Sequence, residues 1–341
     1  MTTLGRLARW TGNWIPAALA RPFGAPMAVF FHGVEPSVGD PLLQVNQHRL
    51  DAFEGMARLM KRDFDVLPLD ALSDVLKAPE KHPRALFLMS DDGYANVLTA
   101  AAPVLEAMQL PWTLFVSTHH IDTGEFTPPT LTRLFCREAP TGTYEIPHLG
   151  TITMGSRQER ESLAERAWER LKQLDALRAN DALAAMTSAL ADIDLKSAYP
   201  SETFLTWDQI RALHARGVEI GAHAHQHWAM HGGQSRAWLR GQALQSKLRI
   251  EQEIGSCRFF AYPFGNRGDV GRNAWEAVRD AGYQNAFTTV SGSLDASANP
   301  FLLPRYGLAP EETNLAAFLP VVRANNGRLQ SWQSEIGTAV P

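Results

Sequence analysis

Ala85-Leu-Phe-Leu-Met-Ser-Asp-Asp-Gly-Tyr94 decides the fold of this 341-residue chain. The apolar run Ala85–Met89 is too short for a helix and stops at turn-forming residues. It therefore reads as a buried strand that delivers two carboxylates, Asp91 and Asp92, to its C-terminal end. The same arrangement recurs on either side of it. Strand candidates stand at Met27–Phe31, Phe64–Leu67, Trp112–Val116, Val218–Gly221, Arg258–Tyr262 and Asn285–Val290, with a weaker one at Phe301–Leu303. Helical patterns over 48–63, 95–108, 206–216, 235–254 and 271–281 separate them. Thr206-Trp-Asp-Gln209 has the form of a capping box, and Gly217 and Gly282 stand where helices should stop. This alternation implies parallel strands, and seven or eight of them imply an α/β barrel.

Polar or turn-forming segments succeed four of the strands. Phe30-Phe-His32-Gly, Ser90-Asp-Asp-Gly, Ala222-His-Ala-His-Gln-His227 and Tyr262-Pro-Phe-Gly265 each come after a candidate strand. In a parallel barrel those ends converge on one face, where active sites are built. Asp91 and Asp92 point in different directions if the strand ends there, so one can bind a metal while the other faces a water. His223 and His227, four apart, can reach one ion from a single turn, and two histidines with one carboxylate leave coordination positions open for water. His231 stands at the same spacing from His227, so position alone leaves both pairs open; His225 is offset by two. A carboxylate beside such a set is a ready general base, which points to a hydrolase.

Residues 120–200 interrupt the rhythm. Pro128-Pro129 and Pro140-Thr-Gly-Thr read as loop and 156–190 as helix, together an insertion over the barrel mouth. The expected organisation is an extension at 1–24, one barrel domain at 25–325 and a partly ordered tail at 326–341. A formal charge of −4 and the lack of a long basic run argue against a nucleic-acid partner. Two cysteines, Cys136 and Cys257, are too few for a disulfide framework and fit a reducing compartment. No apolar stretch reaches the roughly 18 residues of a membrane span. The N-terminal stretch is a poor secretory signal, so a cytoplasmic location is expected. Arg6, Arg9, Trp10 and Trp14 suit either a helix on a membrane surface or one packed on the domain.

Four motifs occur in order: Asp91-Asp-Gly-Tyr94, Trp112-Thr-Leu-Phe-Val-Ser117, Gly217-Val-Glu-Ile-Gly-Ala-His223 followed by His227, and Phe260-Ala-Tyr-Pro-Phe-Gly265. Over about residues 27–310 the chain resembles the polysaccharide deacetylases of the NodB-homology type, carbohydrate esterase family 4. The resemblance implies a distorted (β/α)7 TIM-like barrel that removes N-acetyl groups, with O-acetyl groups as the alternative, from an acetylated glycan or amino sugar; with the poor secretory signal, an intermediate of exopolysaccharide assembly is the expected substrate. It implies Asp91 as base, and Asp92, His223 and His227 as ligands of a divalent metal. Zinc is the default, with nickel, cobalt, iron or manganese compatible. It also implies the backbone N–H of Phe264 as an oxyanion donor. The leaving amine needs an acid, and no histidine follows His231. His32 in Phe30-Phe-His resembles the motif of the permuted poly-N-acetylglucosamine deacetylase branch and takes that role.

The chain departs from the family pattern in three places. Ser90 precedes the Asp pair where Phe is usual, and Ala224 follows the first histidine where Ser or Thr is usual. Ala261 stands where an arginine normally orients the base; Arg305, in Leu303-Pro-Arg-Tyr306, is the candidate replacement. Tyr94, Trp228 and Phe264 are candidate sugar-facing aromatics, with ordinary packing as the alternative. Three rival functions are a metal-dependent hydrolase of small cyclic amides or ureides, a degenerate glycan-binding barrel without catalysis, and a non-haem iron oxygenase.

Overall fold

The computed structural model describes residues 25–40, 42–309 and 329–336; the expected N-terminal extension lies outside them. Eight strands form one sheet: β1 (Met27–Phe31), β2 (Asp65–Val66), β3 (Ala85–Ser90), β4 (Thr113–Val116), β5 (Glu219–Ala222), β6 (Phe259–Ala261), β7 (Asn285–Phe287) and β8 (Tyr306–Gly307). Their order is β7-β6-β5-β4-β3-β1-β8, with β2 beside β3, and every pairing is parallel. All residues of β1 and β3 are buried, as expected when a parallel sheet is covered on both faces.

The two-residue period of the strands divides the core. Ala28, Phe30, Phe87, Met89, Phe115, Phe259, Ala261 and Phe287 pack together on one face. The alternate residues, among them Val29, Phe31, Leu88, Leu114, Ile220 and Phe260, belong to a second cluster. There they meet the apolar faces of the outer helices, such as Phe53 and Met60 of Leu50–Asp63, Leu213 of Trp207–Ala215 and Val278 of Arg272–Asp280. Residues 303–308 close the sheet. Leu303 bridges Phe287 and Tyr306 pairs with Val29, while the Leu308 N–H donates to the Phe30 carbonyl at 2.8 Å. The weak candidate at Phe301–Leu303 is thus the start of a closing segment that hydrogen-bonds to both edges. The capping box at Thr206 and Gln209 forms, and Gly217 and Gly282 are left-handed at φ 91° and 82°.

The insertion differs from its expected outline. Pro128-Pro129 opens a helix, Pro128–Glu138, rather than a loop, because proline is tolerated in the first turn where N–H groups have no partner. Gly142–Ile146 and Gly150–Met154 pair as an antiparallel hairpin. The single helix expected over 156–190 is two, Arg157–Lys172 and Ala176–Ser188. Asp175 takes an extended conformation between them and accepts the Arg178 N–H, capping the second. These pieces share their own cluster, with Leu134, Phe135, Met154, Trp168, Leu171 and Met186 inside it. Within the expected tail, residues 329–335 are helical, and Leu329 and Trp332 are buried against the barrel.

Candidate metal centre

Hydrogen bonds tie neighbouring strand ends together and so set the site. The Asp91 N–H donates to the Phe31 carbonyl at 3.0 Å, and Ser90 Oγ donates to the His32 carbonyl at 2.9 Å. Ser90, at the family's usual Phe position, thereby joins β3 to the turn carrying His32. On the other side the His223 N–H donates to the Val116 carbonyl at 2.9 Å, and Ser117 Oγ donates to the His223 carbonyl at 2.6 Å. Four of the six non-glycine residues with positive φ among the described residues, Asp92, Ala224, His227 and Phe264, lie in these turns. Backbone held in that region costs on the order of 1–3 kcal/mol and clusters at functional sites.

Asp92, His223 and His227 are buried, and one ligand atom from each lies within 4.8 Å of the other two. His223 Nδ1 lies 2.8 Å from the Ala261 carbonyl, which only an N–H can satisfy, and this leaves Nε2 as the nitrogen turned toward Asp92. Asp92 Oδ1 has no hydrogen bond of acceptable geometry, although His227 Nε2 and His223 Nε2 stand 2.9 and 3.3 Å away. One ligand atom of each residue thus converges on a single point, which fits a divalent cation on two imidazoles and a carboxylate. His227 Nδ1 has no partner among the described residues; the ring is flanked by Phe264, 4.9 Å between centroids. Burial opposes the charge of Asp92, but the two imidazoles overcome it and hold the carboxyl well below the usual range.

Asp91 turns toward Arg305, while its Oδ2 also lies 4.0 Å from His223 Nε2. The guanidinium donates Nη1 to Oδ1 at 2.8 Å and Nη2 to Oδ2 at 2.9 Å, and its Nε donates to the Thr288 carbonyl at 3.1 Å. Arg305 has no exposed surface and lies 4.3 Å from the centre of the Phe30 ring. Burial again works against the Asp91 charge, and Arg305 leads the influences that keep its carboxyl below the ordinary value. Arg305, the candidate replacement for the arginine absent at Ala261, is thus the residue that holds Asp91.

His32 is part-buried, and the charges of Asp91 and Asp92 reach its imidazole; burial outweighs them and lowers its pKa. Phe264 is half-buried at φ 61°, and its N–H donates to no described residue. His225 is spent on Thr118 Oγ1 at 2.8 Å. His231 accepts the Gly233 N–H at Nδ1 and lies 3.1 Å from the Leu174 carbonyl at Nε2, so the alternative pair with His227 does not form. Trp228 and Tyr94 are packed inside, Trp228 stacked on Trp168 and Tyr94 on Phe204. Of the three candidate aromatics only Phe264 is part-exposed. Behind His227, His120 and Trp228 help line a cavity of about 650 Å³ that contains none of the three converging residues.

The polysaccharide deacetylase sequence profile matches residues 78–286. The chain belongs to the polysaccharide deacetylase family. It is accordingly a hydrolase of carbon–nitrogen bonds other than peptide bonds. The matched region holds Asp91, Asp92, His223, His227 and Phe264 and stops short of His32 and Arg305. Solved structures share the fold. PplD, a deacetylase of Streptococcus pyogenes solved with acetate, is 16% identical with a TM-score of 0.55, over 88% of this chain and 98% of that one. IcaB from Ammonifex degensii is 14% identical at 0.53, over 87% and 97%. The deacetylase domain of BpsB from Bordetella bronchiseptica is 17% identical at 0.52, over 83% and 96%. No curated protein sequence matches the chain. This deacetylase has, among its described residues, no helix long and apolar enough to cross a membrane.

Sequence reasoning missed a polar group beside the metal centre, formed by the buried Tyr94 and Glu202 and the part-buried Arg133. Glu202 is 1% exposed, and burial pushes its carboxyl up to about 7. No motif spacing signals it: residues 203–205 reach Tyr94 through an isolated bridge between Tyr94 and Phe204.

Proposed function

We propose that this deacetylase removes N-acetyl groups from an acetylated glycan or amino sugar with the help of a divalent metal. The observation that carries the reading is the contrast between two adjacent carboxylates. Asp91 is clamped by Arg305, while Asp92 Oδ1 is orphaned between two imidazole nitrogens. Asp92, His223 and His227 would hold the metal. When bound, it would supply Lewis acidity toward the acetyl carbonyl and toward an attacking water.

The chain's own groups do the rest. Asp91, kept ionised and aligned by Arg305, takes the proton as water attacks the acetyl carbon. The Phe264 N–H donates to the oxyanion that develops on the carbonyl oxygen; such a donor typically contributes about 3 kcal/mol. His32 gives a proton to the departing amine, a role typically worth about 10²–10⁴-fold. The burial of Asp91, Asp92, His223 and Arg305 keeps bulk water away from these transfers. The products are acetate and a free amine.

The test is acetate release from N-acetylglucosamine oligomers by metal-analysed protein. Asp91→Asn should lower turnover at least about a thousandfold, by losing the base, while metal content stays at the wild-type level. Loss of metal in that variant would mean the two carboxylates have exchanged roles.

A further inference from the structure

The helix Pro128–Glu138 carries a guanidinium that the described residues leave unanswered. Arg133 is part-buried and has neither a hydrogen bond nor an ion pair within 4.0 Å among them. It stands one turn beyond Thr130, so the two share a helix face. Thr130 Oγ1 donates to Glu202 Oε2 at 3.5 Å, and Ser201 Oγ donates to the other oxygen at 3.4 Å. The next residues run beside the Asp92 turn: the Ala95 N–H donates to the Thr203 carbonyl at 2.8 Å, and the Leu205 N–H to the Gly93 carbonyl at 2.9 Å. Arg133, Glu202 and Tyr94 therefore lie together next to the metal centre, near enough for the Asp92 charge to act on Arg133. Glu202 does not cancel the guanidinium: it forms no ion pair with it, and its pKa of about 7 leaves it only partly ionised at neutral pH.

Solvent reaches the nitrogens of Arg133, and donors that no side chain of the protein engages are open to an acceptor arriving from outside. Its planar fork matches carboxylate and phosphate oxygens better than single hydroxyls. We propose that Arg133 binds an anionic group, a carboxylate or a phosphate, on the same sugar that presents its acetyl group to Asp91. The substrate is then an acidic acetamido sugar or a sugar phosphate rather than a neutral oligomer. This inference rests on the deacetylase reading and narrows its substrate class.

The experiment compares acetate release from three probes: an N-acetylglucosamine oligomer, N-acetylglucosamine 1-phosphate and N-acetylglucosaminuronic acid. Wild-type protein should favour one anionic probe by at least about tenfold in kcat/KM, mostly through KM. Arg133→Ala should erase that preference and leave the neutral oligomer within about twofold; Arg133→Lys, a point charge without the fork, should recover part of it. The anion that gains distinguishes phosphate from carboxylate. Equal rates on all three probes, or an equal loss on all three in Arg133→Ala, would overturn the inference while leaving deacetylation intact. If no probe releases acetate, the deacetylase reading fails instead, and calorimetric binding of the anionic probes still decides the role of Arg133. Arg133→Gln, which keeps the length and polarity of the side chain, serves if the alanine variant does not fold.

Discussion

Arg305 and Asp91 are 214 residues apart in sequence and meet as a fork on a carboxylate with almost no water around either. A buried pair of this kind adds little net stability, but removing one partner typically costs about 3–5 kcal/mol because the other charge is stranded. The clamp therefore fixes direction more than it stabilises the fold, and it holds Asp91 ionised at pH values where a free carboxyl begins to protonate. His32 is shifted the same way, since burial keeps its imidazole below 6.5. A base must be ionised and an acid protonated, so both shifts push the active window to the acid side of neutrality. Amide turnover should follow a bell whose alkaline limb falls below pH 6.5, and His32→Ala should lose that limb. An aryl acetate, whose leaving group needs no proton, should be hydrolysed by His32→Ala at near the wild-type rate. A similar loss on amide and aryl acetate would remove His32 from the acid role.

The central strands were legible because β1, β3, β4 and β6 are short apolar runs buried throughout, and the deeper detail of β5 was not. Gly221 lies under the Phe115 ring: a Cβ there would collide with that ring and sit 3.0 Å from the Phe259 carbonyl. Gly221→Ala should destabilise by about 1–3 kcal/mol in urea unfolding, as overpacking does, with the same metal content in the folded fraction. An unchanged midpoint would mean the interior of the barrel can yield there. Elements misread from sequence share a cause: a local signal hid a longer one. Pro140-Thr-Gly-Thr looks like a turn and hides the alternation of Tyr144 and Ile146 against Ile152 and Met154. Leu- and Ala-rich periodicity runs through Asp175, whose capping role depends on the backbone it adopts. At the site, Asp92, His223 and His227 were readable because turns carry them at fixed spacing. The Arg133–Glu202–Tyr94 group was not, because only tertiary contact creates it.

The molecule joins a closed barrel to an insertion with a core of its own, and Glu202 is buried near their junction. Its carboxyl is raised from an ordinary 4.5 to about 7, so the folded state prefers the protonated form. The stability this gives is complete below pH 4.5 and is lost as pH rises through 7. Wild-type protein should therefore lose up to about 3 kcal/mol from this group between about pH 5 and 8, a loss that Glu202→Gln should lack. Parallel stability curves for the two proteins would show that Thr130, Ser201 and Arg133 already satisfy the ionised form. The closing segment at 303–308 has a further consequence, one of timing. As the chain is synthesised, both carboxylates and both imidazoles have emerged by residue 227, but the guanidinium that aims Asp91 follows only with the strand that seals the ring. A nascent or truncated chain thus owns the reactive groups without their alignment, and hydrolysis waits for a finished barrel.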